Sequence, residues 1–401
     1  MTRPDVVIAG AGPSGMSAAL TLARQGLAVR VLEATDGPSK LSHASTFHAP
    51  TVEILTELGV GEGLVEQGRV VRRLQYRDRT AGRLAEFDFG LLDQDTSCAF
   101  RLQAEQRVLT RLAYERLREF PNVEFRFNTP VDGAFTDGEE AVLVSSGREH
   151  RARWAIGADG ANSAVRSALG IDFVGATYEM RYLTVMTSLD LEQVMPGIAP
   201  VTYVSGGQHG IGLLALPDHW RVAFRVPPSE SKEEALDEGR VQQRMREALD
   251  IGVDEYPLVG RFIYFVHRRT ADHLRSGKVF VIGDAAHVNS PSGGMGMNSG
   301  IHDAYVASSA LVEIMAGNEP ESLLDEMLAE RLRVAREVIG ARADQNYRDI
   351  IETDEAKRES RAEELARLEA DPIEARRYLL RASMLDHAPR PGAPFATAGV
   401  S

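Results

Sequence analysis

An uninterrupted apolar run followed by an amphipathic segment opens the chain. Residues 6–9, with the sequence VVIA, contain no polar position, which is typical of a parallel strand buried on both faces. Apolar residues then recur at helical spacing up to a glycine stop at Gly26; they are Ala18, Ala19, Leu20, Leu22 and Ala23. A second apolar strand spans residues 28–32 and ends at Glu33. The pattern predicts a strand–helix–strand unit within residues 4–33.

The turn between the first strand and the helix carries a G-x-G-x-x-G motif. Gly10 permits the tight turn, Gly12 lets a pyrophosphate approach the backbone, and Gly15 lets the helix pack closely. The N-terminus of the helix offers N–H groups and partial positive charge to that pyrophosphate. Glu33 is placed to accept both hydroxyls of an adenosine ribose and would repel a 2′-phosphate. The unit therefore predicts binding of FAD or NAD rather than NADP, without deciding between the two.

The rest of the chain switches between helical and strand periodicity. Helical spacing is found at residues 50–58, 103–120, 229–249 and 319–385, and the last of these stretches is strongly charged. Strand periodicity is found at residues 70–89, 178–190, 200–226 and 261–266. Residues 277–316 return to the first pattern, with a buried strand, a glycine turn and a long helix from about Met297. We expect one dinucleotide-binding unit with an inserted, mostly antiparallel sheet.

Composition narrows the class of protein. The chain has 401 residues, enough for two domains, and a net charge of −13, which argues against nucleic acid or an anionic membrane as the main partner. The single cysteine, Cys98, excludes a disulfide framework and a cysteine-rich metal site, so we expect no metal. No apolar run approaches membrane-spanning length, and the first strand starts too early for a signal peptide. We expect a cytoplasmic protein.

Three motifs in order carry a resemblance to a known family. Gly10–Gly15, Gly157–Arg166 and Gly283–Asn298, at this spacing, resemble those of the FAD-dependent aromatic hydroxylases. These are single-component flavoprotein monooxygenases of the para-hydroxybenzoate hydroxylase fold, and the likeness covers roughly residues 4–340. One departure concerns the nicotinamide cofactor: where the family often has an arginine after the second-strand acid, this chain has Lys40, Ser42 and His43.

The resemblance implies an α/β fold with a Rossmann-like FAD-binding domain, an inserted and mostly antiparallel β-sheet substrate domain, and a C-terminal helical segment. We assign residues 1–72, 100–173 and 277–330 to the FAD-binding domain, and residues 73–99 and 174–276 to the substrate domain. Residues 331–386 are expected to form the C-terminal helices, and residues 387–401 an irregular tail. A monomer and a homodimer are both compatible with the sequence.

The same resemblance implies a set of FAD-binding residues. They are Gly10, Gly12, Pro13, Ser14, Gly15, Glu33, Gln103, Asp159, Arg166, Gly283, Asp284, Gly294, Gly296, Met297 and Asn298. Asp284, at the carboxyl end of a strand, is expected to accept a hydrogen bond from a ribityl hydroxyl, although it could instead cap a helix. Asp159 could equally hold its own loop as an Asx-turn, and Arg166 could bind pyrophosphate or pair with a neighbouring acid. Gln103 matches a family position near the flavin, but Gln106 and Arg107 are so close in sequence that the alignment at this position stays open.

The family reaction consumes NADH or NADPH and O2. The nicotinamide reduces FAD, and the reduced flavin takes O2 to a C4a-hydroperoxide, which hydroxylates an electron-rich ring. We expect a small phenolic or heteroaromatic substrate between the inserted sheet and the 291–295 loop, with Tyr203, His209 and Pro291 at the pocket. Alternatives are a hydroxylase of quinone precursors or polycyclic compounds, and a flavin-dependent reductase or dehydrogenase that forms no hydroperoxide. The position hydroxylated, and any ring opening or demethylation, stay open.

Overall fold

The parallel sheet that holds the first motif is built on the apolar strand at the N-terminus. A computed structural model describes residues 3–40, 43–206, 210–352 and 354–395. Val6–Ala9 is fully buried and pairs in parallel with a strand on each side. The six strands in spatial order are Arg275–Ser276, Val279–Val281, Trp154–Gly157, Val6–Ala9, Val29–Leu32 and Val123–Arg126. The predicted strand–helix–strand unit is confirmed, with the second strand starting at Val29.

Helices cover this sheet and bury its apolar residues in one core. The helices of this part of the chain are Pro13–Arg24, Ala49–Glu57, Gly61–Glu66, Gln106–Leu117, Ala164–Ala168 and Gly296–Ala316. The helix predicted over 103–120 is shorter than expected, because residues 101–103 pair as a strand before it. The glycine-loop helix Pro13–Arg24 packs against Gly296–Ala316, so the first and third motifs meet in space.

The inserted block forms an eight-stranded sheet, as the alternation predicts. Its strands in spatial order are His287–Val288, Leu258–Ala271, Phe173–Thr187, Trp220–Val226, Ile211–Ala215, Val201–Ser205, Arg73–Asp78 and Gly82–Asp88. All neighbours are antiparallel except Val201–Ser205 and Arg73–Asp78. Trp220, Val222 and Phe224 bury one face of the sheet in a core shared with the helix Glu238–Leu249. The other face is left for the cavity described below.

The prediction of a single helix over residues 229–249 is wrong, because the structure has two helices there. Lys232–Ala235 begins with a capping box at Ser231, and Glu238–Leu249 begins at Asp237, whose carboxylate accepts the Arg240 N–H. A second cap inside the stretch interrupts the helix, because each cap satisfies the free N–H groups of a new N-terminus.

Two smaller sheets and several short elements complete the fold. One three-stranded sheet consists of Gly133–Asp137, Glu140–Ser145 and Arg148–Ala152, and another of Thr46–Phe47, Arg69–Val71 and Arg101–Gln103. The remaining short elements are the helix Leu191–Val194 and the 3₁₀ turns Phe89–Leu92 and Gly283–Ala285.

The C-terminal part of the chain is helical, as predicted. Its helices are Ser322–Arg333, the π-helical turn Val334–Ile339, Gly340–Ile351, Glu355–Ala370 and Pro372–Ala382. Leu365 and Leu379 pack with Phe87 of the eight-stranded sheet, and the Tyr378 and Tyr76 hydroxyls lie 2.5 Å apart. These contacts fix the last helices to the outer strands of that sheet.

Beyond the last helix, the described part of the predicted tail contains only an isolated bridge between Arg390 and Ala393. The Gly392 N–H donates to the Glu57 carboxylate at 2.8 Å, which anchors this segment to the end of the helix Ala49–Glu57. Among the helices that the structure describes, none is both long and apolar enough to cross a membrane.

Candidate active site

A cavity of about 930 Å³ lies where the parallel sheet, the eight-stranded sheet and the glycine turn at 288–297 meet. Twelve of the residues predicted for the site line it: Gly10, Gly12, Pro13, Ser14, Glu33, Asp159, Tyr203, Asp284, Pro291, Gly294, Gly296 and Met297. Five others lie outside its lining: Gly15, Gln103, Arg166, Gly283 and Asn298. His209 lies outside the described residues. One cavity therefore joins all three motifs to the inserted sheet.

The glycine loop presents bare backbone to the cavity. Gly10 adopts φ +100°, and a Cβ built on it would meet the Ala158 carbonyl oxygen at 2.4 Å. A Cβ on Gly12 would meet no atom within 4 Å, because it would point into the cavity. Pro13 begins the helix, and no side chain of the described residues caps its N-terminus. This is the arrangement that an anionic group such as a pyrophosphate requires.

Glu33 ties the second strand to the glycine loop. Its Oε2 accepts the Ala11 N–H at 2.7 Å, and its Oε1 accepts the N–H and hydroxyl of Thr35 at 3.0 and 2.8 Å. Each carboxylate oxygen has further acceptor capacity, and the residue lines the cavity. Glu33 can thus order the loop and still accept ribose hydroxyls.

Asp284 faces the cavity from the 3₁₀ turn Gly283–Ala285. Its side chain is exposed to the cavity but surrounded by protein, and this desolvation raises the pKa of the carboxyl group, while His287 and His43 oppose the rise. The turn packs directly on the first helix, because a Cβ on Gly283 would lie 2.4 Å from the Ser14 Oγ. A hydroxyl donated by a ligand would compensate the poorly solvated carboxylate.

A buried ionic network supports that turn from behind. The Asp303 carboxylate accepts from the Gly283 N–H at 3.2 Å, from His287 Nε2 at 2.6 Å and from Arg331 Nε at 2.7 Å. Burial alone would raise the pKa of Asp303, but His287 and Arg331 outweigh it and hold that pKa well below its usual range. Sequence reasoning missed Asp303 and Arg331; the available signal was an acid inside the apolar face of a long helix.

Asn298 acts as a clamp beside the cavity. Its Oδ1 accepts the His48 N–H at 2.9 Å, and its Nδ2 donates to the carbonyls of Thr46 and Gly294 at 2.9 and 2.7 Å. His48 Nε2 bonds the Gly293 carbonyl at 3.0 Å. Burial first and the charge of Arg101 second lower the pKa of His48 to about 3, so the ring is neutral and donates that hydrogen bond. Both side chains fix the glycine turn.

Three other predicted residues are held by protein groups. Asp159 accepts hydrogen bonds from the Ser163 hydroxyl at 2.5 Å and from the Val165 N–H at 3.1 Å. These bonds hold its own loop, which is one of the two roles that the sequence allowed, and Asp159 also lines the cavity. Arg166 donates to the Ala285 and Ala161 carbonyls, both at 3.0 Å, and lies outside the cavity lining. Its guanidinium lies 3.8 Å from the ring centroid of Phe173.

Gln103 lies in a strand, where its Oε1 accepts the Thr46 hydroxyl at 3.1 Å while its buried Nε2 has no partner. Gln106, three residues later, lines the cavity itself. The sequence left open which glutamine faces the site. In the structure Gln106 lines the cavity, and Gln103 lies outside the lining.

The eight-stranded sheet contributes the polar wall of the cavity. Tyr203 lines the cavity together with Tyr182 and Tyr264, two residues that were not among the predicted site residues. Burial raises the pKa of Tyr182 and that of Tyr264, so both hydroxyls are neutral hydrogen-bonding groups at physiological pH. The Tyr182 hydroxyl lies 3.2 Å from the Ser292 Oγ, next to Pro291. Tyr182 could have been found from the sequence, because it lies in a predicted strand whose alternate side chains point to the same face of the sheet.

Arg221 also lines this wall but already has partners. Its Nη2 lies 3.2 Å from the Glu105 carboxylate and its Nη1 3.2 Å from the His43 carbonyl. Burial lowers the pKa of Arg221, while Glu105 raises it. The cavity thus has the glycine loop and carboxylates at one side and aromatic side chains of the eight-stranded sheet at the other.

Known proteins with this architecture share most of the chain. A family model described as an FAD binding domain matches residues 3–342. The chain is 34% identical over 356 residues to 6-hydroxy-3-succinoylpyridine 3-monooxygenase HspB of Pseudomonas putida, covering 87% of this chain and 89% of the relative. It is 30% identical over 365 residues to para-nitrophenol 4-monooxygenase of a Pseudomonas species, covering 89% and 90%.

Solved structures agree with the sequence relatives. The crystal structure of p-nitrophenol 4-monooxygenase PnpA from Pseudomonas putida DLL-E4 superimposes with a TM-score of 0.87 at 28% identity, over 95% of this chain and 98% of the other. The family match spans all three motifs and the inserted sheet, and the relatives are covered nearly end to end. The chain therefore belongs to the FAD-binding-domain family of FAD-dependent aromatic monooxygenases, and it is a flavoprotein hydroxylase.

Proposed function

We propose that the protein uses FAD, NADH or NADPH, and O2 to hydroxylate a small phenolic or heteroaromatic compound. One observation carries the proposal. A single cavity is lined at one side by the glycine loop and Asp284 and at the other by Tyr182, Tyr203 and Tyr264 of the antiparallel sheet. Oxygen transfer to a ring needs cofactor and substrate in one space that excludes water. The eight-stranded sheet then acts as the substrate domain.

The residues present fit FAD. Gly12 leaves open backbone at a helix N-terminus for the pyrophosphate, and Glu33 offers carboxylate oxygens to the adenosine ribose. Asp284 offers an acceptor to the ribityl chain. Gln103 bonds Thr46 of the cavity lining, and its buried Nε2 has no partner among the described residues. FAD held by these residues would supply the redox chemistry, from the nicotinamide to O2, that hydroxylation of a ring requires.

The protein's own contribution is to bind and orient the ring. Tyr182 and Tyr264 are neutral donors that can bond the oxygen of a phenol or hydroxypyridine. Pro291 fixes the backbone of the opposite wall, and the Asn298 clamp holds the glycine turn close to it. Ordered walls keep water from the reacting atoms, which favours transfer of oxygen over loss of peroxide.

The relatives favour a single-ring substrate over a polycyclic one. The chain spans 89% and 90% of the relatives named for a succinoylpyridine and a nitrophenol. It spans only 61% of 6-methylpretetramide 4-monooxygenase of Streptomyces rimosus. A hydroxylated single ring is therefore the first class to screen, with polycyclic compounds as the second.

Purified protein with its bound flavin provides the test. We expect a flavin absorbance spectrum and NADH or NADPH oxidation that single-ring phenols or hydroxypyridines stimulate, with matching O2 uptake and a hydroxylated product. Nicotinamide oxidation with a ring compound as the electron acceptor and no O2 uptake would instead identify a flavin-dependent reductase. Protein that retains no flavin after reconstitution would contradict the proposal altogether.

A further inference from the structure

A second cavity, of about 280 Å³, adjoins the active-site cavity at Tyr203. It lies between two strands of the eight-stranded sheet, Arg73–Asp78 and Val201–Ser205, and two C-terminal helices, Gly340–Ile351 and Glu355–Ala370. Of the residues that the structure describes, Tyr203 alone lines both cavities. The two spaces therefore meet at this residue.

The sheet register explains why the two cavities share a wall. Directly paired residues of neighbouring strands point to the same face of a sheet. Gly212 pairs with Tyr203, and Tyr203 pairs with Tyr76. Gly212 lines the active-site cavity and Tyr76 lines the second cavity, so one continuous face of the sheet runs from the first space to the second.

The inner part of the second cavity is apolar and aromatic. Leu365 is buried, whereas Tyr76, Leu84 and Tyr203 are only partly covered by the core to which they belong. The rings of Tyr76 and Tyr203 stack with their centroids 5.7 Å apart. A surface of this kind packs well against an aromatic ring.

The outer part of the second cavity reaches the protein surface. Gln345, Arg348 and Lys357 line it, and all three are exposed. The ammonium group of Lys357 lies 3.4 Å from the carboxylate of Glu352, another lining residue. The second cavity thus extends from charged, solvent-exposed side chains to the aromatic pair at its inner end.

The active-site cavity is exposed at its opposite end. Residues 34–36 and Lys40 belong to its lining and are exposed, next to Glu33. In the proposed function the adenosine part of FAD lies at Glu33, so the bound cofactor would close that end. Tyr182, at the sheet side, is buried. A ring that binds beside the sheet then has its most direct access past Tyr203.

We propose that the second cavity is the entry site for the aromatic substrate, which passes Tyr203 to reach the active-site cavity. Small-molecule pockets begin at about 300 Å³, so this cavity suits a single ring rather than a polycyclic compound or a dinucleotide. A change of the Tyr203 rotamer would join the two spaces. The inference rests on the proposed function for the presence of an aromatic compound in the active-site cavity.

Binding kinetics of the oxidised holoenzyme test the entry site. A side chain that lies on the route but does not touch the bound ring changes the association and dissociation rate constants by the same factor. Their ratio, the dissociation constant, then stays the same. The probes are phenol, 4-hydroxybenzoate and 6-hydroxynicotinate, without nicotinamide, and stopped-flow flavin absorbance follows their binding.

Gln345 offers a substitution with a matched control. It is exposed, and its Nε2 donates to the Asp349 carboxylate one helical turn later at 2.6 Å. Gln243 is likewise exposed and donates to the Glu247 carboxylate at 2.8 Å, but it lies outside the lining of both cavities. Gln345→Trp narrows the second cavity, Gln345→Ala widens it, and Gln243→Trp is the control.

We expect Gln345→Trp to lower both rate constants at least about threefold while the dissociation constant stays within about twofold of wild type. Gln345→Ala should leave both rate constants equal to or above those of wild type. Gln243→Trp should bind and release the probes as wild type does.

Unchanged rate constants in Gln345→Trp would overturn the entry site, and so would a change in only one of the two. Equal slowing in Gln243→Trp, slowing in Gln345→Ala, or no binding of any probe would also reject it. Failure of the proposed function is distinguishable, because substitution at Gln345 would then alter the rate constants while O2 uptake yields no hydroxylated product. Normal hydroxylation with unchanged rate constants would reject the entry site alone.

Discussion

Two glycines of the same loop have opposite physical reasons to be glycine. Gly10 is constrained by the protein, because its φ of +100° and the Ala158 carbonyl at 2.4 Å exclude a Cβ. Gly12 has φ −77° and no atom within 4 Å of a Cβ, so nothing in the protein excludes a side chain there. We propose that Gly12 is required by the pyrophosphate that approaches it.

Alanine substitutions at these positions should therefore separate folding from cofactor binding. Gly10→Ala should lower the free energy of unfolding of the flavin-free protein by about 2–5 kcal/mol, from strain and overpacking together. Gly12→Ala should leave that free energy unchanged but weaken FAD binding at least tenfold. Chemical denaturation and FAD titration measure the two effects, and equal destabilisation by both variants would contradict the assignment.

Asp284 is the acid whose surroundings most favour a ligand hydroxyl. Replacing it with alanine should weaken FAD binding about 10- to 100-fold, because a charge-assisted hydrogen bond to the ribityl chain is lost. Retained flavin per protein after dialysis measures the effect. Asp93→Ala, which removes an exposed acid outside the cavity lining, serves as the control. Normal flavin retention in Asp284→Ala would count against this placement.

At the scale of elements, the glycine turn is held by buried polar clamps rather than by apolar packing alone. Asn298 joins the strand Thr46–Phe47 to the start of the helix Gly296–Ala316. Neutral His48 adds a bond to Gly293, and its Nδ1 is buried without a partner. Protonation of His48 would bury a charge that nothing at Nδ1 compensates.

The buried His48 should therefore make the free energy of unfolding decrease as the pH is lowered. The pKa of His48 is about 3 in the folded protein against its ordinary 6.5, so below pH 6.5 protons bind the unfolded chain preferentially. The lost free energy reaches about 2 kcal/mol at pH 5. His48→Gln should show a flatter decline in the free energy of unfolding from pH 7 to pH 5, measured by denaturation in buffers of constant ionic strength. An equal decline in His48→Gln and wild type would refute the assignment, and surface His273→Gln should match wild type.

Elements with an unbroken pattern were predictable, and elements decided by local caps or pairing were not. The apolar run at 6–9 and the alternation around Trp220 correspond to strands in the structure. The helix expected from residue 103 starts at Gln106, because residues 101–103 pair with strands distant in sequence. Asp237 divides the helix expected over 229–249 by capping a new N-terminus. Periodicity does not encode such pairings or caps.

At the scale of the molecule, the cofactor side of the cavity was far more predictable than the substrate side. Glycines and acids at strand ends have roles that follow from spacing, and Gly12, Glu33 and Asp284 all line one cavity. Tyr182 and Tyr264 reach their positions through the register of a sheet, which the sequence does not fix. Asp303 supports the turn from within the helix Gly296–Ala316, beyond the end of the third motif.

The central claim is that one cavity brings a flavin, O2 and an aromatic ring together for oxygen transfer. Turnover of a stimulating phenol or hydroxypyridine under ¹⁸O2, with the product analysed by mass spectrometry, tests it most directly. We expect a product that carries one ¹⁸O atom from O2 and none from water. Unlabelled product, or label acquired from H2¹⁸O instead, would contradict it.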